Sequence, residues 1–428
     1  MDLISISEFR AASLVRMGIC AGLCVWSGGN HCFAAPGSVG AYTVASPEQA
    51  IDKFDIFVAD QISYDGNLYR LPGNSQELGL APVTSRTDWI NLTSVGVEGE
   101  WVPGLQEIQF NAHVDENRFQ RNHDLNNTSG DARVLWDWRV GSVFLGDAGI
   151  DYTKHLAGFA STGFLGRDIV SRADYFADAR YQLGPRWALF GGVVGANTTN
   201  NAPAVQGNDG RTKSGNGGVE LATSVNNAFG LEYRYADGHY TFNESLLDGI
   251  SFNRDYQDNS ARGYARYSIT EKTTLIGSAG YLRRTYLNSS IGAFSGDIWS
   301  ASVQWQATDK TQVTFTASRD LQAYLDAQSD YFVSQGFSIS PTWAASEKLT
   351  LKSTISWHDQ NYISSSPVAI ALDSRHDKVN FEQAEVIYTA TSALTFDLAC
   401  HFEQRASNQE VFKYHDTLTT ASVTFKFL

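Results

Sequence analysis

The sequence predicts an all-β fold, a transmembrane antiparallel β-barrel of about 18 strands with short periplasmic turns and longer extracellular loops. Two observations carry this prediction. From about residue 54 onward, apolar and polar residues alternate with the period of two that is typical of strands. Eight tight turns alternate with nine longer polar segments, so seventeen connections join eighteen strands. A closed barrel pairs every backbone group and leaves no sheet edge open to lipid.

The composition of the 428-residue chain excludes several other classes of protein. Charged residues make up 18%, below the roughly 25% of an average soluble protein, and aromatic residues make up 12%. A disordered chain is therefore excluded. The net charge of −14 argues against general nucleic-acid binding, which needs a basic surface, so we expect no nucleic-acid partner. No motif typical of an enzyme, a metal site or another cofactor stands out, and we expect none of these.

The N-terminal residues 1–34 have the features of a secretory signal peptide. Arg10 and Arg16 precede an apolar run, Met17 to Trp26, and a small-residue cleavage site follows at Cys32-Phe33-Ala34. A buried N-terminal helix is the alternative interpretation. The signal peptide implies export across the inner membrane.

The prediction divides the chain into three parts: the signal peptide at 1–34, a short periplasmic segment at 35–53 and the transmembrane barrel at 54–428. Three of the four cysteines lie in the signal peptide, so the mature chain keeps only Cys400. No internal disulfide is expected in such a chain. We also predict that the strand near 54–68 pairs with the strand near 415–427 and closes the barrel.

The turns and loops follow one another at regular spacing along the chain. The tight turns are marked by Pro103-Gly104, Gly141-Ser142, Gly184-Pro185, Asn226-Asn227, Thr270-Glu271-Lys272, Thr308-Asp309-Lys310, Ser346-Glu347-Lys348 and Thr391-Ser392. The longer segments are 71–85, 120–128, 157–167, 199–211, 243–253, 288–294, 321–329, 362–375 and 407–414. Three strands, near 54–64, 187–195 and 273–283, do not alternate cleanly, and the sequence does not predict which of their faces points inward.

Alternation alone does not distinguish a membrane barrel from a soluble β-protein, but two further features favour the membrane. Tryptophans cluster near the tight turns, as they do at a membrane interface: Trp101, Trp136, Trp138, Trp187, Trp305 and Trp343. Many residues of the apolar faces are small alanines, whereas a packed soluble core of this size needs bulkier side chains. A secreted β-helix or propeller is the main alternative, and the meander of hairpins argues against it.

The polar faces of the strands carry charges of both signs. A charge in lipid is costly, so these residues should face a hydrated lumen. The candidate lumen-lining residues are Asp137, Arg139, Arg172, Asp174, Asp178, Arg180, Glu232, Arg234, Arg262, Arg266, Asp397 and Glu403. They fit a conduit whose charges select what passes, and they equally fit cross-strand pairs that stiffen the wall. A hydrolase site around His401 is a weaker alternative.

Several stretches in order along the chain resemble one family of membrane barrels. They are Gln61–Pro72, Trp136-Asp137-Trp138, Ala179–Arg186, Gly280–Tyr286 and Phe294–Trp299 ahead of Trp305. In these stretches the chain resembles the outer-membrane barrels of exopolysaccharide operons, the EpsL-type group of the family named Putative beta-barrel porin 2. The chain ends Phe427-Leu428 rather than in the aromatic residue common to outer-membrane barrels, which shifts the insertion signal by one position.

The resemblance implies a bacterial outer-membrane porin that serves export of an extracellular polysaccharide. Its implied partners are the polysaccharide chain in transit, a periplasmic polysaccharide-export protein and outer-membrane lipid. The family supplies no catalytic residues. A general or sugar-uptake porin is the alternative, and an outer-membrane enzyme or adhesin is a third. Uptake porins often carry a long constricting loop folded into the lumen. No predicted loop here much exceeds about 15 residues, which argues against the uptake alternative.

Overall fold

The computed structural model describes residues 53–427, except 81–82, 163, 225, 242–244, 247–249, 252–254, 288–292, 327–328 and 364–373. The predicted signal peptide and the predicted periplasmic segment up to residue 52 lie outside the described residues. None of the helices in the described part of the chain is both long and apolar enough to span a bilayer.

Eighteen antiparallel strands form one closed barrel, which confirms the predicted fold class and strand number. The first nine are β1 (Lys53–Asp65), β2 (Asp88–Trp101), β3 (Glu107–Phe119), β4 (Asn127–Val140), β5 (Phe144–Leu156), β6 (Ile169–Leu183), β7 (Trp187–Asn200), β8 (Gly210–Ser224) and β9 (Asn227–Tyr240). The others are β10 (Tyr256–Thr270), β11 (Thr273–Tyr286), β12 (Phe294–Thr308), β13 (Thr311–Asp326), β14 (Ser329–Ala344), β15 (Leu349–Ile363), β16 (His376–Thr389), β17 (Leu394–Ser407) and β18 (Tyr414–Phe427).

Each strand pairs with its neighbours in the chain, and β1 closes the barrel against β18. The closing register runs from Ile56 opposite Phe427 to Asp65 opposite Leu418, as the sequence predicts. The predicted tight turns fall at the eight short connections. Gly104, Gly141 and Gly184 have φ between +63° and +72° there, a left-handed conformation that glycine adopts without steric cost.

A few short elements lie in the longer loops. A two-residue ladder joins Ser245–Leu246 to Ile250–Ser251. Single 3₁₀ turns occupy His123–Leu125, Pro203–Asn208 and Glu410–Phe412. One helical turn, α1 (Phe159–Thr162), lies in the loop between β5 and β6.

The outer face of the barrel is apolar. In β6 the exposed residues Tyr175 and Tyr181 alternate with Asp174, Asp178 and Arg180 on the opposite face. Five of the six predicted interface tryptophans are exposed near the short turns: Trp101, Trp136, Trp187, Trp305 and Trp343. An apolar surface of this kind with aromatic residues at its edge suits lipid rather than water.

The structure also resolves the facing of the three strands that do not alternate cleanly. Exposed Phe54 and Val58 put the intervening Phe57 of β1 on the inner face. Exposed Leu189 and Val193 likewise put Phe190 of β7 on the inner face. In β11 the exposed residue is Tyr281, so Leu282 and Arg284 are on the inner side.

The expectation that no loop much exceeds about 15 residues is wrong, and two loops fold into the lumen. The loop between β1 and β2, here called L1, runs from Gly66 to Thr87 and extends beyond the predicted segment at both ends. Its residues 67–72 are buried. The shorter loop between β5 and β6, here called L3 (residues 157–168), also turns inward, because its helix α1 lies against β13 across the ring. Strand alternation carries no information about where a loop folds, which is why the sequence missed both.

Candidate functional site

All twelve residues proposed to line the lumen lie on the strand face opposite the exposed apolar residues of the same strand. The structure brings only some of them together. Arg172 forms a two-pronged ion pair with Asp174, with N–O distances of 2.5 and 2.6 Å. Arg262 of β10 pairs in the same way with both carboxylate oxygens of Glu232 of β9, at 3.1 and 3.2 Å. Two parallel hydrogen bonds between guanidinium and carboxylate fix the side chains in orientation.

Other predicted residues have different neighbours. Arg180 pairs with Glu220 of β8, a residue that the prediction did not include. Arg234 donates a hydrogen bond to the Ser214 hydroxyl at 3.2 Å. Asp137 lies opposite Glu107 and Asp147 in the registers of its two neighbouring strands, so three carboxylates lie side by side there.

The remaining members lie apart from these pairs. Asp397 of β17 is opposite Ile387 of β16 and close to Glu385, whose carboxylate lies 3.6 Å from the ammonium group of Lys352. Arg139 accepts a hydrogen bond at its backbone carbonyl from the Gln106 amide. Arg266 lies on the same face of β10 as Arg262, on the periplasmic side of it.

The last predicted residue, Glu403, belongs to a buried network at the outer end of the lumen. At its centre is Arg70 of L1, whose guanidinium lies 3.1 Å from Asp65 and 2.9 Å from Asp416. Glu403 lies 3.9 Å from the same guanidinium and accepts a hydrogen bond from the Tyr414 hydroxyl at 2.9 Å. The side chains of Asp65 and Asp416 are fully buried. We call these five residues the outer network.

Local structure explains why Arg70 turns inward. The backbone N–H of Asn67 donates a hydrogen bond to Asp65 Oδ1. The side-chain amide of Asn67 donates hydrogen bonds to the backbone carbonyls of Leu71 and His415. This asparagine folds residues 67–71 into a tight turn and ties it to β18. Arg70 itself has φ of 55°, a left-handed conformation that is uncommon for any residue other than glycine. Burial alone would lower the pKa of the Arg70 guanidinium, but the surrounding carboxylates raise it above its ordinary value.

A second buried group of charges adjoins the outer network. Arg375 pairs with Asp377 at 2.6 Å, and its guanidinium stacks 3.5 Å from the ring centre of Phe412. Arg405 lies 3.6 Å from the same Asp377 carboxylate. The other end of the Arg405 guanidinium donates a hydrogen bond of 3.1 Å to the backbone carbonyl of Ala160, in α1 of L3.

The hydrogen bond from Arg405 shows that L3 crosses the lumen. L3 leaves the wall at β5 and returns at β6, whereas Arg405 belongs to β17, six strands away from β5 around the ring. The helix α1 also lies against β13, seven strands from β6 in the other direction. L3 packs on L1 through the rings of Phe159 and Tyr69, with centroids 4.6 Å apart. The two loops thus form one body within the outer end of the barrel.

The ends of β13 and β14 complete this body. The pairing of β12 with β13 stops at Trp299 opposite Arg319, although both strands continue. Leu321 and Tyr331 lie beyond this point, toward the outer end of the barrel. They are at positions of the alternation whose side chains point to the outside in the rest of β13 and β14. They instead pack against the inward-facing Leu282 and Phe294. The outer ends of β13 and β14 have therefore left the wall and lean over the lumen, and β13 contacts α1.

The middle of the lumen is more open. Arg133 of β4 and Asp151 of β5 form a pair of 3.3 Å with side chains 43% and 33% exposed. His113 lies 3.4 and 3.6 Å from the carboxylates of Asp115 and Asp131. Polar groups of both signs thus meet water below the constriction. His401, considered for a hydrolase site, is buried beside Phe381, with ring centroids 5.5 Å apart.

Comparison with known proteins agrees with this architecture. Residues 234–427 match the family model named Putative beta-barrel porin 2. No curated protein matches the sequence. Similar solved structures include OccAB1 of Acinetobacter baumannii (TM-score 0.46, 10% identity, 88% of this chain and 97% of that chain). They also include OpdK (0.44, 10%, 88% and 98%) and OprD (0.43, 11%, 88% and 95%) of Pseudomonas aeruginosa.

The closed barrel, its apolar outer face and the family match identify a porin-like β-barrel of the bacterial outer membrane. At about one identical residue in ten, the solved structures carry no information about the solute. What the lumen transports has to be argued from its own side chains.

Proposed function

We propose that the chain is a diffusion channel that admits small hydrophilic solutes through the outer membrane. The observation that carries this proposal is the hydrogen bond from Arg405 to the Ala160 carbonyl, which holds L3 across the lumen. A barrel of 16 to 18 strands can enclose an aqueous channel, and L1, L3 and the β13–β14 hairpin narrow that channel at its outer end. A narrow, charged passage suits small solutes rather than a folded or polymeric cargo.

Export of an extracellular polysaccharide is the second candidate. The family resemblance favours it, and the first resembling stretch, Gln61–Pro72, coincides with the end of β1 and the buried part of L1. In this candidate the outer network would have to open for the polymer to leave. A periplasmic polysaccharide-export protein would then dock at the short turns.

Two measurements on the same protein separate the candidates. Purified protein in liposomes should let monosaccharides and amino acids pass and should exclude oligomers above a size limit, measured by liposome swelling. A strain that lacks the gene should keep its surface polysaccharide and lose uptake of a small solute. Loss of surface polysaccharide with polymer retained in the periplasm would reject the uptake proposal in favour of export.

A further inference from the structure

Two aromatic rings lie side by side on the inner wall, over two neighbouring strands. Phe190 of β7 and Tyr264 of β10 have ring centroids 6.0 Å apart. Between their strands lie β8 and β9, which have glycine at the facing positions, Gly218 opposite Phe190 and Gly230 opposite Tyr264. We call the two rings and their two glycines the aromatic platform.

The glycines are what allow the rings to lie flat. A Cβ atom added to Gly218 would overlap the Phe190 ring, and one added to Gly230 would overlap the Tyr264 ring. With any other residue at these positions the rings would have to swing out into the lumen. Both rings are half-buried, so one side of each rests on the wall and part remains uncovered. Aromatic rings laid over cross-strand glycines also stabilise a sheet, but that role needs no second ring alongside.

Charged groups frame the platform and fix it in place. The Tyr264 hydroxyl donates a hydrogen bond of 3.0 Å to Glu220, which also pairs with Arg180. Glu232 lies opposite Gly218 in the register and pairs with Arg262 at 2.9 Å. The rings are thus flanked by carboxylates that accept and guanidiniums that donate hydrogen bonds, within a hydrated lumen.

We infer that the aromatic platform is a stacking site for the sugar rings of an oligosaccharide. The face of an aromatic ring carries negative charge density, which attracts groups of partial positive charge such as the C–H bonds on the face of a pyranose. The hydroxyl groups at the edge of a sugar need both donors and acceptors, and the flanking ion pairs supply both. This inference rests on the proposed function, because it names the class of solute that the channel would bind.

The test is block of ion current by oligosaccharides across planar bilayers. Maltohexaose, cellohexaose and a hexamer of galacturonate serve as probes, and polyethylene glycol of similar size serves as a non-stacking control. At least one sugar should block the wild-type channel at a lower concentration than polyethylene glycol. The double variant Phe190→Ala with Tyr264→Ala should raise the half-blocking concentration about tenfold or more, as loss of aromatic stacking does elsewhere.

Matched variants distinguish stacking from damage to the wall. Phe57 of β1 also lies over a glycine, Gly96, on the inner face, and the ring beside it is the imidazole of His113, with centroids 6.5 Å apart, rather than a second benzene-type ring. Phe57→Ala should therefore leave block unchanged. Tyr264→Phe keeps the ring and loses the bond to Glu220, so it should keep most of the block.

Each outcome decides one question. An unchanged half-blocking concentration in the double variant, or no sugar that blocks better than polyethylene glycol, overturns the platform while the channel still conducts. A wild-type protein that conducts no ions at all rejects the proposed function instead.

Discussion

The outer end and the middle of the lumen use the same types of charged residue at very different burial. In the outer network the side chains of Arg70 and Asp65 are 6% and 0% exposed. In the middle of the lumen those of Arg133 and Asp151 are 43% and 33% exposed. Both are arginine–aspartate pairs at about the same separation. The two pairs differ because L1 covers the first pair, whereas the second pair is exposed to water.

The difference in burial separates two roles for charge. A buried ion pair contributes little net stability, but removal of one partner leaves a charge that water cannot reach and is strongly destabilising. Such a pair therefore fixes the position of whatever carries it, which here is L1. A hydrated pair contributes about 0–1 kcal/mol, and its charges remain available to ions in the lumen. The buried charges at the outer end thus hold L1 in place, while the hydrated charges in the middle of the lumen set the electrostatic potential of the passage.

The largest effect is expected for Arg70→Ala. It leaves the buried carboxylates of Asp65 and Asp416 without their cation and should reduce the free energy of unfolding by about 3–5 kcal/mol. L1 should also detach, which raises single-channel conductance. Thermal unfolding in detergent and bilayer recordings measure the two effects. Arg133→Ala is the matched control, and an equal loss of stability in both variants would remove the distinction between buried and hydrated pairs.

A charge on the lipid-exposed face is a third case, because it has neither an ion-pair partner nor water to stabilise it. Ala177→Arg, in the middle of the outer face of β6, should reduce the free energy of unfolding into lipid by about 2–4 kcal/mol. The same change at Ala173, nearer the outer end of the strand, should cost less. Denaturant titration of the folded protein in bilayers measures both. If the two positions tolerate arginine equally well, the position assigned to the membrane is wrong.

The smallest effect on stability is expected for the hydrated pair in the middle of the lumen. Arg133→Ala should change the free energy of unfolding by about 1 kcal/mol or less. Because it removes a positive charge from the wall, it should shift ion selectivity toward cations, and Asp151→Asn should shift it toward anions. Reversal potentials in a salt gradient measure the shift. Identical selectivity in both variants would mean that these charges lie outside the conducting path.

Much of the barrel could be predicted from sequence because the pattern of a lipid-exposed strand depends only on residues close together in the chain. The two-residue period, the Gly-containing turns and the tryptophans near them are all set by neighbours in the chain. Cross-strand pairs such as Arg262 with Glu232 follow once the register is known. The register itself follows from turns as short as Gly184–Arg186, which leave a hairpin little freedom.

The constriction could not be predicted, since it depends on contacts between residues far apart in the chain. Arg405 and Ala160 meet across the lumen, and neither lies in a motif that indicates it. One signal was present: Leu68, Tyr69 and Leu71 are apolar residues in a loop, where they need something to pack on. The aromatic platform was missed for a different reason. The glycine-rich strand near 187–195 does not alternate cleanly, so its sequence does not show which face points inward.

Single-channel conductance tests most directly whether L3 crosses the lumen and narrows it. Residues 159–162, the helix α1, are replaced by Gly-Ser-Gly-Ser, and residues 203–206 of the loop between β7 and β8 receive the same replacement as a control. We expect a several-fold higher conductance for the first variant and a nearly unchanged value for the second. A first variant with wild-type conductance, in a barrel that still folds and inserts, would contradict it.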